Sequence, residues 1–337
     1  MHVACITEMF TSKECFVLIR IISQSSLYQA ESILFSAQTI RLEILQESSI
    51  GSKYLAMTTL KDEIFLLYGL HTPHTVNVYD RDNMAEVKEI IPLPGTYSQH
   101  MSGCNASNCV YILCRSYGDL FSVFRISRDD EHKFHVSQWI KHNPRRSVFL
   151  MNVSANGSLA ICSSGIGEHR NSNFLGAYDA DGSLQHEIML PTDMHVRIYK
   201  NVIKKLNGNL VLAYLDKLTP YPRLLEFDTQ GRVVRRFQSS LVTCGSRMDL
   251  ADDNDRMMIV RMSEGIELLD SEFNPLGVYT PQKDRGKTIR FYDLHYDCNR
   301  NEIVRSQRIG NGWDTRVSVL TVFRFTEELT TRNDGTS

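Results

Sequence analysis

The chain has 337 residues, 42% of them hydrophobic and 23% charged, which is enough apolar material to bury a sizeable core. Its formal net charge is −2, so bulk charge calls for neither nucleic acid nor an anionic membrane as partner. The eight cysteines are scattered and form no Cys-x-x-Cys pair, a pattern that fits reduced, partly buried thiols and a cytoplasmic protein.

In chain order, the first strand-like runs are His2 to Thr7, Cys15 to Ile22, Ser32 to Ala37 and Ile40 to Leu45. Arg20 interrupts the apolar run at Cys15, which is too short to span a bilayer. Acidic Glu8 and Glu14 precede it, so it does not read as a secretory leader, and no membrane association is expected. The Asn-x-Ser sequons at Asn105, Asn152 and Asn156 are then chance matches.

From Tyr54 a fuller unit is legible. Tyr54 to Leu60 is strand-like and Lys61-Asp62 turns the chain. Glu63 to Tyr68 is apolar and reads as the most buried strand. A loop holds Gly69, His71 and Pro73. Thr75 to Tyr79 alternates, Asp80 to Asn83 turns, and Val87 to Leu93 ends at Pro94-Gly95. The same order returns from near Met101 and again from Ser147, with turns at Asn156-Gly157 and at Asp179-Ala180-Asp181-Gly182. It returns near Val196, with turns at Asn207-Gly208 and Asp228-Thr229-Gln230-Gly231, and then near Ser246 and Thr288. No stretch keeps a 3.6-residue apolar period, so almost no helix is expected.

The period predicts an all-β chain folded as a single β-propeller of seven four-stranded blades, at residues 1–47, 53–94, 98–142, 147–190, 195–240, 243–280 and 288–326, with a disordered tail at 327–337. The alternative is six blades with an N-terminal closing segment, because the last unit is weak in its fourth strand, where Glu327-Glu328 follows Phe325 closely.

The segment Leu224-Leu225-Glu226-Phe227-Asp228-Thr229-Gln230-Gly231-Arg232-Val233-Val234 resembles the third-strand, turn and fourth-strand part of NHL repeats. Val76 to Asp80 and Gly176 to Gly182 are weaker copies, and the resemblance runs from about residue 50 to 325. It implies a propeller similar to the C-terminal domain of tripartite-motif-like proteins, which binds proteins or RNA. No Cys/His zinc module precedes the repeats here, so ubiquitin-ligase chemistry is not carried over.

In such a ring, the loops between second and third strands share a face with the connections between blades. The strand map places Arg145, Arg146, Arg197, Lys283, Arg285 and Lys287 in the between-blade connections, and His169, Arg170, Tyr221 and Trp313 in the within-blade loops. This face holds more cations than acids although the whole chain is at −2. A basic face with aromatics fits an acidic peptide or a protein partner, with RNA as the alternative. The plainer reading is a rim of solvated loop charges. The expectation is a non-catalytic interaction scaffold, not an enzyme, with no cofactor and no metal.

Catalytic signatures are sparse. No Gly-x-Ser-x-Gly elbow, His-Glu-x-x-His pair or Walker loop occurs, and Gly165-Ile166-Gly167 and Gly310-Asn311-Gly312 read as loop turns. His71 and His74 have ligand-like spacing but no third ligand nearby, and His132 and His135 lie at a strand approach, where residues three apart point to opposite faces. Cys104, Cys109 and Cys114 recur at five-residue steps, which on one strand would alternate faces, so they read as buried thiols. A second alternative is a Ca²⁺-dependent lactonase-like or esterase-like propeller, with oxygens from Asn152, Glu168, Asp249 and Asp293 as candidate ligands.

Overall fold

The structure, a computed structural model, describes residues 7–11, 14–18, 41–50, 55–68, 74–84, 86–94, 97–115, 121–140, 146–154, 156–165, 172–191, 198–215, 221–239, 249–252, 257–262, 265–279, 290–297, 300, 302–309 and 317–326. Every regular element among them is a strand. The chain divides into two units, Met1–Gln38 and Thr39–Ser337. The first contains one antiparallel hairpin, β1 (Thr7–Thr11) with β2 (Glu14–Leu18).

The second unit opens with β3 (Arg41–Ile50) and then runs through successive four-stranded meanders. The first sheet is β4 (Ala56–Leu60), β5 (Glu63–Tyr68), β6 (Thr75–Asp80) and β7 (Val87–Pro92). The second is β8 (Tyr97–Cys104), β9 (Cys109–Arg115), β10 (Phe121–Arg128) and β11 (Phe134–Ile140). The third is β12 (Arg146–Val153), β13 (Leu159–Gly165), β14 (Asn173–Tyr178) and β15 (Leu184–Met189). The fourth is β16 (Ile198–Lys204), β17 (Leu210–Leu215), β18 (Pro222–Phe227) and β19 (Val233–Gln238). The fifth is β20 (Asp249–Asp252), β21 (Met257–Met262), β22 (Gly265–Asp270) and β23 (Pro275–Tyr279). The sixth takes β24 (Arg290–Asp297), β25 (Glu302–Ile309) and β26 (Val317–Thr326) from the end of the chain, and its fourth strand is β3.

The described residues therefore hold six four-stranded sheets, not the seven blades expected. Among the described residues, the strands expected within residues 1–47 do not make one sheet: β1 pairs with β2, and β3 pairs with β26 in an antiparallel ladder from Ser318↔Ile50 to Thr326↔Arg41. The physical reason lies at the far end of the chain. Without β3, β26 would present an open edge, a row of unpaired backbone donors and acceptors. The order follows the alternative of six sheets with an N-terminal closing strand.

The first strands are innermost. β4, β8, β12, β16, β20 and β24 each contact the next, and β24 contacts β4, so the series closes on itself. The apolar cores lie between sheets. One cluster joins the first and second sheets through Phe65, Val78, Ile112 and Ile126. Others join the second to the third, the third to the fourth, the fourth to the fifth and the sixth to the first. Tyr111, Phe65, Phe227, Ile64 and Leu66 are all under 2% exposed. At about 1.5–3 kcal/mol for each fully buried side chain of this kind, these seams outweigh the exposed ion pairs, such as Lys133 with Glu131, at about 0–1 kcal/mol each.

Two irregularities repeat from sheet to sheet and show that the sheets are copies. On first strands the ladder register shifts at a bulge, at Gln99, Phe149, Lys200 and Tyr292. After the third strand, Asp129, Asp179, Asp228 and Asp270 each close a five-residue turn whose fourth residue has positive φ: His132, Gly182, Gly231 and Phe273. Each Asp side chain accepts backbone N–H groups of its own turn, for example from Gln230 and Arg232 at Asp228 Oδ1, both at 2.9 Å. This is the Asx logic that makes Asp and Gly the residues of such turns.

Candidate functional site

Of the ten residues proposed for the loop face, two fall within the described residues. Arg146 starts β12, with its backbone opposite Gly165, and Tyr221 is half-buried, directly before β18. Arg145, His169, Arg170, Arg197, Lys283, Arg285, Lys287 and Trp313 lie outside the described residues, as do His71, Glu168 and the tail at 327–337.

Polar side chains gather where the innermost strands meet. Gly103 N–H on β8 donates to Thr58 Oγ1 on β4 at 2.7 Å. Ser102 Oγ donates to Asn152 Oδ1 on β12 at 3.1 Å, and Asn152 Nδ2 donates to Asn201 Oδ1 on β16 at 3.2 Å. Asn201 Oδ1 also accepts the Val202 N–H at 2.7 Å. A ladder of small polar groups thus ties four consecutive inner strands together. Buried polar groups persist when paired in this way, and unpaired they would cost about 1–3 kcal/mol each.

The register extends this ladder. Asn201 stands three residues before the last pair of its hairpin, Lys204↔Leu210, and Asp249 stands three before Asp252↔Met258. Asn201 and Asp293 are each the first residue past the bulge of their strand. Counted from the turn, Asn201 and Asp249 share a register position, whereas Asp293 stands four residues before its last pair, Asp297↔Glu302, and matches Asn201 only when counted from the bulge. At that position β12 carries Leu150, buried between the third and fourth sheets. Asp249 and Asp293, both sequence candidates, lie on the adjacent first strands β20 and β24. Asn201 was missed by sequence reading, although aligning the repeats on their first-hairpin turns would have found it.

Two buried amines lie one step further along. Lys204 Nζ donates to Ser158 Oγ at 3.1 Å and Gln185 Oε1 at 2.9 Å, and burial pushes its pKa down. Lys205 Nζ donates to the Ser271 carbonyl at 2.7 Å and lies 3.5 Å from the fully buried Glu226 carboxylate, which also accepts from Arg235 NH1 at 3.1 Å and Asn209 Nδ2 at 2.5 Å. This network seams the fourth sheet to the fifth.

His74 is buried, with its pKa lowered by that burial. His135 is exposed and lies 2.6 Å from Asp129 Oδ2, while His132 occupies the positive-φ turn position. Among the described residues no three His, Cys, Asp or Glu side chains form a metal-binding group. Cys104, Cys109 and Cys114 are buried free thiols as expected, but not by alternation along one strand: a turn separates Cys104 from Cys109, and they stand directly opposite across the β8–β9 hairpin. Among the described residues no helix is long and apolar enough to cross a membrane.

No family model matches the chain, and no curated protein matches it. The specific NHL and tripartite-motif assignment therefore has no support beyond the residues that resemble it. Solved structures do match. The luciferin-regenerating enzyme is 10% identical over 82% of this chain and 94% of its own, with a TM-score of 0.50. The WD40 domain of Toxoplasma gondii coronin is 10% identical over 87% and 88%, also at 0.50. The chain is a β-propeller. A third propeller structure, the PQQ-bound aldose sugar dehydrogenase of Streptomyces coelicolor, is 9% identical over 84% of this chain and 98% of its own, at 0.50. These likenesses concern fold alone, and they correct one expectation. The same architecture carries enzymes, so reading this propeller as not an enzyme does not stand.

Proposed function

We propose that the propeller is a Ca²⁺-dependent hydrolase of the lactonase or esterase class, with the ion held by Asn201, Asp249 and Asp293. The observation that supports this is their placement on three adjacent innermost strands, β16, β20 and β24, with Asn201 and Asp249 level when counted from the turn and Asp293 level with Asn201 when counted from the bulge. The donor set suits a hard divalent cation, which takes carboxylate and amide oxygens and leaves further positions for water and substrate. Two carboxylates balance the ion's charge. Bound there, the ion would polarise an acyl carbonyl oxygen. The Asn152 amide, by donating to Asn201 Oδ1, fixes the orientation of the Asn201 side chain.

The test is a calcium titration followed by thermal unfolding of the full chain, alongside Asp249→Asn and Asp293→Asn. Calcium should raise the wild-type midpoint, as any ligand that favours the native state must, and each substitution should reduce the shift. A panel of aryl esters and lactones should turn over only with the ion present. An unchanged midpoint at millimolar calcium would sink the proposal.

A second reading, partner binding near the loop face, has one observation of its own. Met189, the last residue of β15, is 64% exposed, and Ile90 on the equivalent strand β7 is 59% exposed. Large exposed apolar side chains on outer strands suit a protein or acidic-peptide partner, with RNA as the alternative. Pull-downs with and without RNase separate the two partners. Recovery unchanged by Met189→Ser together with Ile90→Ser would remove this reading.

A further inference from the structure

Four cysteines among the described residues are free and buried: Cys104, Cys109, Cys114 and Cys162. Two of them differ from the others in their placement. Cys104 and Cys109 are the last paired residues of the β8–β9 hairpin, facing each other across the Asn105–Asn108 turn. Residues directly opposite in an antiparallel pair have Cα atoms about 4.5 or 5.5 Å apart, both inside the roughly 4.4–6.8 Å range that a disulfide spans. Their side chains share one side of the sheet, since both belong to the cluster between the second and third sheets. We propose that Cys104 and Cys109 are a redox modification site, a thiol pair that closes to a cross-strand disulfide when a hydroperoxide reaches the hairpin.

The surroundings fit this chemistry. Ser107 Oγ lies 2.9 Å from Cys109 Sγ, and Tyr111 OH donates to Ser107 Oγ at 3.4 Å, so a hydrogen-bonded relay ends on one of the two sulfurs. Cys104 Sγ lies 3.9 Å from the Ser154 carbonyl in the first turn of the third sheet. Burial raises the Cys109 pKa, which keeps the closed hairpin unreactive. Access comes through the turn, where Ala106 and Asn108 are exposed and Asn108 holds a positive φ of 50°. The other two thiols serve as internal controls. Cys114 packs on the opposite side, between the first and second sheets, and Cys162 lies between the third and fourth.

The steps balance. One thiol sulfur attacks the peroxide oxygen, the O–O bond breaks, and a sulfenic acid results, with water leaving from hydrogen peroxide or an alcohol from an organic hydroperoxide. The second sulfur then attacks the sulfenic sulfur, the S–S bond forms and a water leaves. Two thiols are oxidised and one hydroperoxide is reduced.

The test treats the folded full chain with hydrogen peroxide, removes the peroxide, and then denatures the protein and blocks remaining thiols with iodoacetamide. It then reduces the protein and labels the newly freed thiols with N-ethylmaleimide for mass spectrometry of the peptide containing both residues. The expected result is a peptide doubly labelled with maleimide, while Cys114 and Cys162 carry the first label. In Cys104→Ser the doubly labelled species should vanish. A wild-type peptide that carries one maleimide at most, or none above the level at Cys162, overturns the proposal without relying on any variant.

Discussion

Gly103 shows how one residue answers to the packing of innermost strands. A Cβ built on it would lie 2.1 Å from the Thr59 carbonyl oxygen of the neighbouring strand, and 3.1 Å from Thr58 Oγ1. The obstacle is backbone, which cannot rotate away as a side-chain tip would. β4 and β8 approach so closely because Gly103 N–H donates to Thr58 Oγ1. Gly103→Ala should therefore destabilise the fold by about 1–3 kcal/mol, the usual range for overpacking, seen as a lower urea midpoint with an unchanged slope. A glycine inside a strand run signals either a bulge or a close approach. The sequence around Gly103 does not say which, because the neighbour that decides it is over forty residues away. Cys104 and Cys109 are the buried thiols expected, but the spacing argument missed their opposition for a related reason: a turn lies between them, and a hairpin converts separation along the chain into direct opposition.

At the scale of the element, the four-stranded unit was legible wherever local chemistry carried it. Glu63–Tyr68 agrees with the run read from sequence at both ends, and the Asp-led turns after third strands stand where Asp179 to Gly182 and Asp228 to Gly231 mark them. The bulges at Phe149 and Lys200 carried no sequence mark, since they arise from the coil of inner strands about one axis. The repeated turns also set an acid response. The hydrogen bond from His135 lowers the Asp129 pKa, and the backbone N–H of Arg232 lowers that of Asp228. At Asp270 burial works upward, but the Asn274 side chain and backbone outweigh it and the pKa falls. Each group is thus more acidic folded than unfolded, so its contribution is present above the unfolded value of about 4 and is lost as pH falls through the folded one. The unfolding temperature should drop as pH is lowered below about 4. The triple variant Asp129→Asn, Asp228→Asn, Asp270→Asn should show a shallower drop over the same range. An identical slope would mean that carboxylates elsewhere dominate acid unfolding.

For the whole molecule the question is how the ring is closed. No local pattern marks β3 as the partner of β26, because the pairing spans almost the entire chain and rests on a β26 edge left open by the end of the repeats. The sequence held only an indirect sign, the weak fourth strand of the last unit. A second closing device is buried nearby. Arg81, in the turn after β6, pairs with Glu302 at the start of β25, with side chains only 4% and 5% exposed. It joins the first sheet to the sixth, beside the apolar seam of Met57, Ile64, Met84 and Val304. A buried pair of this kind adds little net stability over an apolar replacement, yet breaking it strands a charge and costs about 3–5 kcal/mol. Glu302→Leu alone should therefore lower the denaturant midpoint strongly, while Arg81→Met with Glu302→Leu should recover most of the loss. If the double variant is as unstable as the single one, the pair acts through specific hydrogen bonding at the junction and not through charge compensation, and urea unfolding of the three proteins decides between them.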